Sequence, residues 1–230
     1  MSLYLILLLA SVSVPLLLSF DRKLQFYRQW KWLIPSISIV AVYYILWDIY
    51  LTSKGVWGFN PRYHGSLMIS GIPLEEALFF FVIPYASLFL HYSFILYFPA
   101  IKLPEKSSQI ISIVLVIISL SILIFNFNKA YTAYILPHFI IAVFLGISFK
   151  PRLLQSFLFS FILIGIPFLI VNGILTGSFI DEEIVWYDNS ENLGIRLGTI
   201  PIEDFAYGFS MIFFSLIFTE SLKDRFQRSN

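Results

Sequence analysis

Seven apolar segments, each about long enough to cross a lipid bilayer, dominate this sequence of 230 residues. A helix needs about 20 consecutive apolar residues to span the hydrocarbon core. The segments lie at about 2–20, 33–53, 73–97, 108–127, 130–148, 153–177 and 200–220. Hydrophobic residues make up 58% of the chain and charged residues 13%, whereas soluble domains are about 25% charged. We therefore expect an all-α integral protein of the cell membrane with seven transmembrane helices.

The placement of basic residues predicts the orientation of these helices. The first segment lacks a basic start and a small-residue cleavage site, so we interpret it as a retained span. With the N-terminus outside, 11 of the 15 lysines and arginines fall on the cytoplasmic side, where such residues are enriched. These are Arg22, Lys23, Arg28, Lys31, Lys102, Lys106, Lys150, Arg152, Lys223, Arg225 and Arg228. We expect the N-terminus outside and the C-terminus in the cytoplasm.

An acidic signature occurs twice, each time at the start of an apolar segment. Residues 71–76 read Gly-Ile-Pro-Leu-Glu-Glu, and residues 199–204 read Thr-Ile-Pro-Ile-Glu-Asp. Upstream, residues 46–52 align with residues 170–176. The first three spans therefore match the last three, and the offset of four helices keeps both copies in the same orientation. This pattern predicts a parallel 3+1+3 repeat in which both signatures lie at one membrane face.

The repeat divides the chain into three parts. We expect a first three-helix repeat over 1–100, a connecting helix over 101–129 and a second three-helix repeat over 130–230.

The four acids of the two signatures, Glu75, Glu76, Glu203 and Asp204, are the candidate catalytic residues. Proline is favoured at the first position of a helix, and the helix dipole favours an acid in the first turn, so each signature could simply start a helix. However, carboxylates at the edge of hydrocarbon are costly and often functional. Facing each other across a bundle, such acids could share one proton at neutral pH.

Aromatic residues follow each signature by about one helical turn. Phe79 and Phe80 follow the first signature, and Tyr207 follows the second. Their ring faces could stabilise a cation. An acid with aromatic walls suits carbocation chemistry on an apolar substrate. Asp48, which aligns with the neutral Asn172, could be a supporting acid or a buried hydrogen-bonding residue.

Several classes of site are absent from the sequence. The formal charge of +1 gives no indication of a nucleic-acid partner. The chain has no cysteine, which excludes disulfides and thiolate metal sites. It also has no glycine-rich nucleotide fingerprint. We therefore expect no cofactor and no bound metal.

The segment 73–76 with the three phenylalanines at 79–81, the upstream Asp48 and the Trp57-containing loop resemble the membrane-integral lycopene cyclase family. Residues 201–204 resemble the matching motif of that family's second subunit. The resemblance implies an intramolecular lyase or isomerase of carotenoid biosynthesis, which converts the linear ends of lycopene to β-ionone rings.

The resemblance also implies the partners and the site. The substrate would be a carotenoid dissolved in the bilayer, and other carotenoid-pathway enzymes are possible partners. The four acids would donate and remove protons, with Asp48 in support. The substrate would lie against Trp57 and the aromatic residues that follow each signature.

Three alternatives remain open from the residues. A cyclase could act on another carotenoid. A small carrier can share the 3+1+3 plan, with Asp48 and Asn172 as midspan polar residues. The third alternative is a metal-dependent prenyl-transfer enzyme. It needs a denser aspartate-rich motif and more basic partners for a diphosphate, whereas the only basic residues near the signatures are Lys54, Arg62 and Arg196.

Overall fold

Seven α-helices make up most of the protein in the computed structural model, which describes residues 1–101 and 103–227. They are α1 (Leu3–Leu18), α2 (Trp30–Ser53), α3 (Leu74–Tyr97), α4 (Glu105–Phe125), α5 (Ala130–Phe149), α6 (Pro151–Leu175) and α7 (Glu203–Gln227), with a short 3₁₀ helix, Phe26–Gln29, before α2. Six of these helices are long and apolar enough to cross a membrane, whereas α1 has only 16 residues. The expected all-helical membrane class is confirmed at this level.

The helix starts differ in one detail from the prediction. Pro73 and Pro201 do not occupy the first helical position but end short strands just before α3 and α7. The acids still lie in the first turns of both helices, as the sequence predicted. There the unpaired N–H groups and the helix dipole favour negative charge.

The two long connections form three small antiparallel strand pairs, which the sequence analysis did not predict. The strands are β1 (Trp57–Phe59), β2 (Met68–Ile69), β3 (Ile72–Pro73), β4 (Val185–Tyr187), β5 (Arg196–Leu197) and β6 (Ile200–Pro201). Hairpins β2–β3 and β5–β6 each lead directly into a helix with an acidic start. Strand β1 pairs with β4 and so joins the two connections across the bundle, with Trp57 opposite Tyr187 and Gly58 opposite Trp186.

The strands lie at one end of the bundle, which we call the strand end. The first helix of each predicted half begins at this end. Two hydrogen bonds show this: the Tyr4 amide donates to the Tyr63 carbonyl at 3.1 Å, and the Tyr131 amide donates to the Glu191 carbonyl at 2.9 Å. The α4–α5 connection also lies at the strand end, whereas the α1–α2, α3–α4 and α5–α6 connections lie at the opposite end, with the basic residues predicted to be cytoplasmic. Two of those residues, Lys102 and Arg228, lie outside the described part of the chain.

Helices α2, α3 and α7 all pack against one another at the centre of the bundle. Helix α2 packs against α3 and α7, and α3 also packs against α6. Helix α1 covers α3, and α5 covers α7. Helix α4 packs on α5 and α6 and is mostly exposed, as expected for a helix that faces lipid. The buried core consists largely of apolar and aromatic side chains, so it places the acids of α3 and α7 at the strand end of an otherwise apolar interior.

A close helix contact at Gly146 makes the packing testable. A Cβ atom at Gly146 would lie 2.9 Å from Phe213 and 3.0 Å from Leu154, both of which are buried. We expect Gly146→Leu to overpack this contact at a cost of about 1–3 kcal/mol and to lower the Tm in detergent by roughly 2–10 °C. Gly165 is the control, since a Cβ there meets no atom within 4 Å. Equal melting temperatures for Gly146→Leu and Gly165→Leu would contradict this packing.

Candidate functional site

A cavity of about 580 Å³ lies between α1, α3, α6 and α7, beneath the strand end. Most of its lining is apolar, but three carboxylic acids contribute to its wall: Asp48 of α2, Glu76 of α3 and Asp204 of α7. Their exposed fractions are 3%, 8% and 5%. The cavity therefore brings together one acid from each signature and the additional acid of the second span.

Asp204 accepts more side-chain hydrogen bonds than the other two acids of the cavity. Its Oδ1 atom accepts a hydrogen bond from the Tyr131 hydroxyl at 2.5 Å. Its Oδ2 atom accepts one from the Asn172 amide at 2.7 Å and one from the Tyr187 hydroxyl at 3.2 Å. Hydrogen bonds to the charged form of an acid stabilise that form, so this environment suits a carboxylate anion.

Tyr187 belongs to strand β4, outside the helical spans, and acts as a donor in this site. Burial, together with the nearby Asp204 carboxylate, raises the pKa of its hydroxyl well above the usual value. The hydroxyl therefore keeps its proton at neutral pH and remains a donor to Asp204.

Glu76 and Asp48 have fewer donors than Asp204. Glu76 accepts a 2.5 Å hydrogen bond from the Tyr4 hydroxyl. Asp48 accepts one from the Trp57 indole at 2.8 Å, and its Oδ2 atom has no hydrogen-bond partner among the described residues. Both acids line the same cavity, where two buried like charges would repel each other.

The other acid of each signature faces the loops and does not line the cavity. Glu75 accepts hydrogen bonds from the Gly65 amide at 2.7 Å and the Ser2 hydroxyl at 2.6 Å. Glu203 accepts them from the Leu193 amide at 2.7 Å and the Thr132 hydroxyl at 2.8 Å. In both halves the acid thus holds the amide ten residues upstream. Successive residues of a helix point in different directions, so the two acids of each signature have different surroundings.

Three of the four predicted aromatic residues line the cavity: Trp57, Phe79 and Tyr207. The fourth, Phe80, is buried beside the cavity. Its ring centroid lies 5.7 Å from that of Phe79 and 6.4 Å from that of Tyr207. It therefore supports two ring residues of the wall.

Sequence reasoning did not single out the tyrosine donors Tyr4, Tyr131 and Tyr187. Tyr4 and Tyr131 lie near the starts of α1 and α5, and a search for polar residues at corresponding places in the two halves could have suggested them. Tyr187 lies in a connection, and its position depends on the pairing of β1 with β4, for which the sequence carried no clear signal.

Four aromatic rings form a continuous group around the acids. The Tyr131 and Tyr187 rings are stacked at 5.7 Å, and the Trp57 ring lies 5.1 Å from Tyr131. Tyr207 lies 6.3 Å from Tyr131. The site therefore combines acids, phenol donors and ring faces in a chamber that is otherwise apolar. Such a chamber can give and remove a proton while its ring faces stabilise a cation.

Within residues 1–101 and 103–227, no group of three or more histidine and acidic side chains is positioned to hold a metal ion.

Comparison with known proteins gave one match. A family model described as lycopene cyclase matches residues 1–95 and 128–222. A search of curated proteins found no match. A search of solved structures found no match.

The loop contacts of Glu75 can be tested by hydrogen exchange. Glu75→Ala removes the acceptor of the Gly65 amide, and losing a hydrogen bond to a charged group costs about 1–3 kcal/mol. We expect the Gly65 amide to exchange roughly 5- to 150-fold faster, as measured by mass spectrometry. Glu183→Ala, which removes an exposed acid from the other strand-end connection, is the control. Unchanged exchange in Glu75→Ala would mean that other contacts hold this loop.

Proposed function

Because the chain belongs to the lycopene cyclase family, we propose that it is an enzyme that cyclises the linear ends of lycopene to β-ionone rings within the membrane. The observation that carries this proposal is the meeting of Glu76 and Asp204, one acid from each signature, in one apolar cavity. The reaction is an isomerisation, in which substrate and product have the same composition. Acid–base groups alone can therefore complete it.

We further propose the parallel 3+1+3 architecture, with repeats over 1–100 and 130–230 and a connecting helix over 101–129. Three observations support it. The hairpins before α3 and α7 are 128 positions apart, as are the two acids of each signature. Gly58 pairs with Trp186, which lies 128 positions later and is therefore the equivalent position in the second half. A two-fold axis between the halves requires a strand residue on the axis to pair with its own equivalent. The family match also falls into two segments of equal length.

The proposed orientation has the strand end outside and both the C-terminus and the basic end in the cytoplasm. The described basic residues predicted to be cytoplasmic lie in connections or at a helix end away from the strands. Lysine and arginine are enriched in cytoplasmic loops, which supports this orientation.

The hydrogen bonds suggest a division of roles between the acids. We assign the role of proton donor to the pair Glu76 and Asp48. Among the described residues, each of these acids accepts one side-chain hydrogen bond, so its anionic form is less stabilised than that of Asp204. We assign the base to Asp204, whose carboxylate accepts three hydrogen bonds. Glu75 and Glu203 position the strand-end loops and do not transfer the proton.

The proposed reaction then proceeds in three steps. A proton from the Glu76–Asp48 pair adds to the terminal carbon–carbon double bond and leaves a tertiary cation. A double bond further along the chain attacks this cation and forms the ring bond. Asp204 removes a proton from the ring and restores a double bond. Trp57, Tyr131 and Tyr207 line or border the cavity, where their ring faces can stabilise the cation.

The polar residues that suggested a carrier have places in this site. Asp48 accepts from Trp57, and Asn172 donates to Asp204. Both residues line the same cavity as the signature acids. These contacts support the assignment of both residues to the proposed acid–base site.

Expression in cells that accumulate lycopene tests the activity. We expect cyclic carotenoids, identified by chromatography and absorption spectra and equal in mass to lycopene. Cells that express Glu76→Gln are the matched control, since the variant keeps the size of the side chain. If lycopene remains unchanged while the wild-type protein is present in the membrane, this substrate assignment is wrong.

Variants of neighbouring acids test the division of roles. We expect Glu76→Gln and Asp204→Asn each to lower ring formation by about 10²-fold or more, the usual effect of losing a general acid or base. Glu75→Gln keeps an oxygen that can accept the same loop hydrogen bonds, so we expect it to retain most activity. Glu105→Gln, in the first turn of α4 at the opposite end, controls for loss of an acid. Equal losses in Glu75→Gln and Glu76→Gln would refute the division.

A further inference from the structure

The cavity extends well beyond its acids. Its wall follows α1 from Tyr4 to Pro15, which is about 16 Å along the helix axis. On the other side it follows α6 from Leu175 back to Leu163. The acids lie at the strand end only, so the cavity is a long apolar chamber with its reactive groups at one end.

The gap between α1 and α6 opens this chamber to the outer surface of the bundle. Val14 of α1 and Ile166 and Ile170 of α6 line the cavity, and their exposed fractions are 58%, 61% and 58%. Ala10 of α1 also lines the cavity and is exposed. Side chains that face both the cavity and the surface lie at an opening. Because these stretches are apolar, the opening faces hydrocarbon.

The corresponding gap on the other side of the bundle is filled. In the proposed repeat α5 corresponds to α1 and α2 corresponds to α6, so the equivalent gap lies between α2 and α5. There the rings of Trp47 and Tyr134 lie 4.9 Å apart. The Tyr43 hydroxyl and the His138 Nε2 atom form a 2.5 Å hydrogen bond across the same two helices. The two gaps thus differ, although the repeat relates them.

We propose that the α1–α6 gap is the portal through which one linear end of an apolar polyene enters from the bilayer and reaches the acids. This inference rests on the proposed function for the identity of the substrate. The apolar wall suits a hydrocarbon chain, and the acids at the closed end suit a chain end that enters first. The remainder of the molecule stays in the portal and the surrounding lipid.

Bulky substitutions at the portal test the proposal. We expect Ala10→Trp to obstruct the gap and to lower kcat/KM for lycopene by about tenfold or more. The control is Leu9→Trp, because Leu9 is 47% exposed on the same helix and does not line the cavity. A second pair on α6 guards against misfolding of one variant: Ile170→Trp at the portal against Ile162→Trp, whose position is 66% exposed and off the cavity.

Binding without turnover separates this inference from the proposed function. In a Glu76→Gln background, the lycopene retained on purification is measured by its absorbance per protein. We expect Ala10→Trp and Ile170→Trp to lower this occupancy and the two controls to preserve it. If the wild-type protein forms rings and the portal variants match their controls in rate and occupancy, the portal is wrong. If occupancy in the Glu76→Gln background depends on the portal residues but the wild-type protein forms no rings, the portal stands and the proposed reaction fails.

Discussion

The pairing of Trp57 with Tyr187 across strands β1 and β4 holds the site together. Carboxylates inside an apolar bundle need hydrogen-bond donors, and this strand pair supplies one to each half of the molecule. The Trp57 indole donates to Asp48, and the Tyr187 hydroxyl donates to Asp204. Because the two donors are direct partners in the ladder, the register of three residue pairs sets the relative positions of the two donors.

The need for hydrogen-bond donors also gives the two neighbouring acids of each signature different partners. Glu75 and Glu76 differ by one position, but one points to loop amides and the other to the cavity. Glu203 and Asp204 repeat this arrangement. The outward acid accepts the amide of a loop residue that precedes the hairpin, and the helix turns the next acid toward the cavity. Each signature therefore combines one acid that holds a loop amide with one acid that lines the cavity.

The sequence was sufficient to predict most helices and the place of the acids, because apolar length and first-turn chemistry are local properties. For example, the expected span 73–97 is α3 (Leu74–Tyr97) almost to the residue. The strand pairs and the tyrosine donors depend on contacts between distant segments, such as Tyr4 with Glu76, and local patterns do not reveal them. The choice between Glu75 and Glu76 likewise depends on which face of α3 is turned inward by packing.

The difference between Asp48 and Asn172 gives the two halves unequal chemistry. An amide can donate, so Asn172 adds a hydrogen bond to Asp204, whereas Asp48 adds a second acid beside Glu76. This one difference between aligned positions thus gives the acids of α3 and α7 different surroundings, on which the proposed division of roles rests. The gaps between helices diverge in the same way, since rings fill the space between α2 and α5 while the space between α1 and α6 stays open. A symmetric pair of halves would offer two equivalent entrances to one acid cluster, whereas this chain offers its substrate one direction of approach.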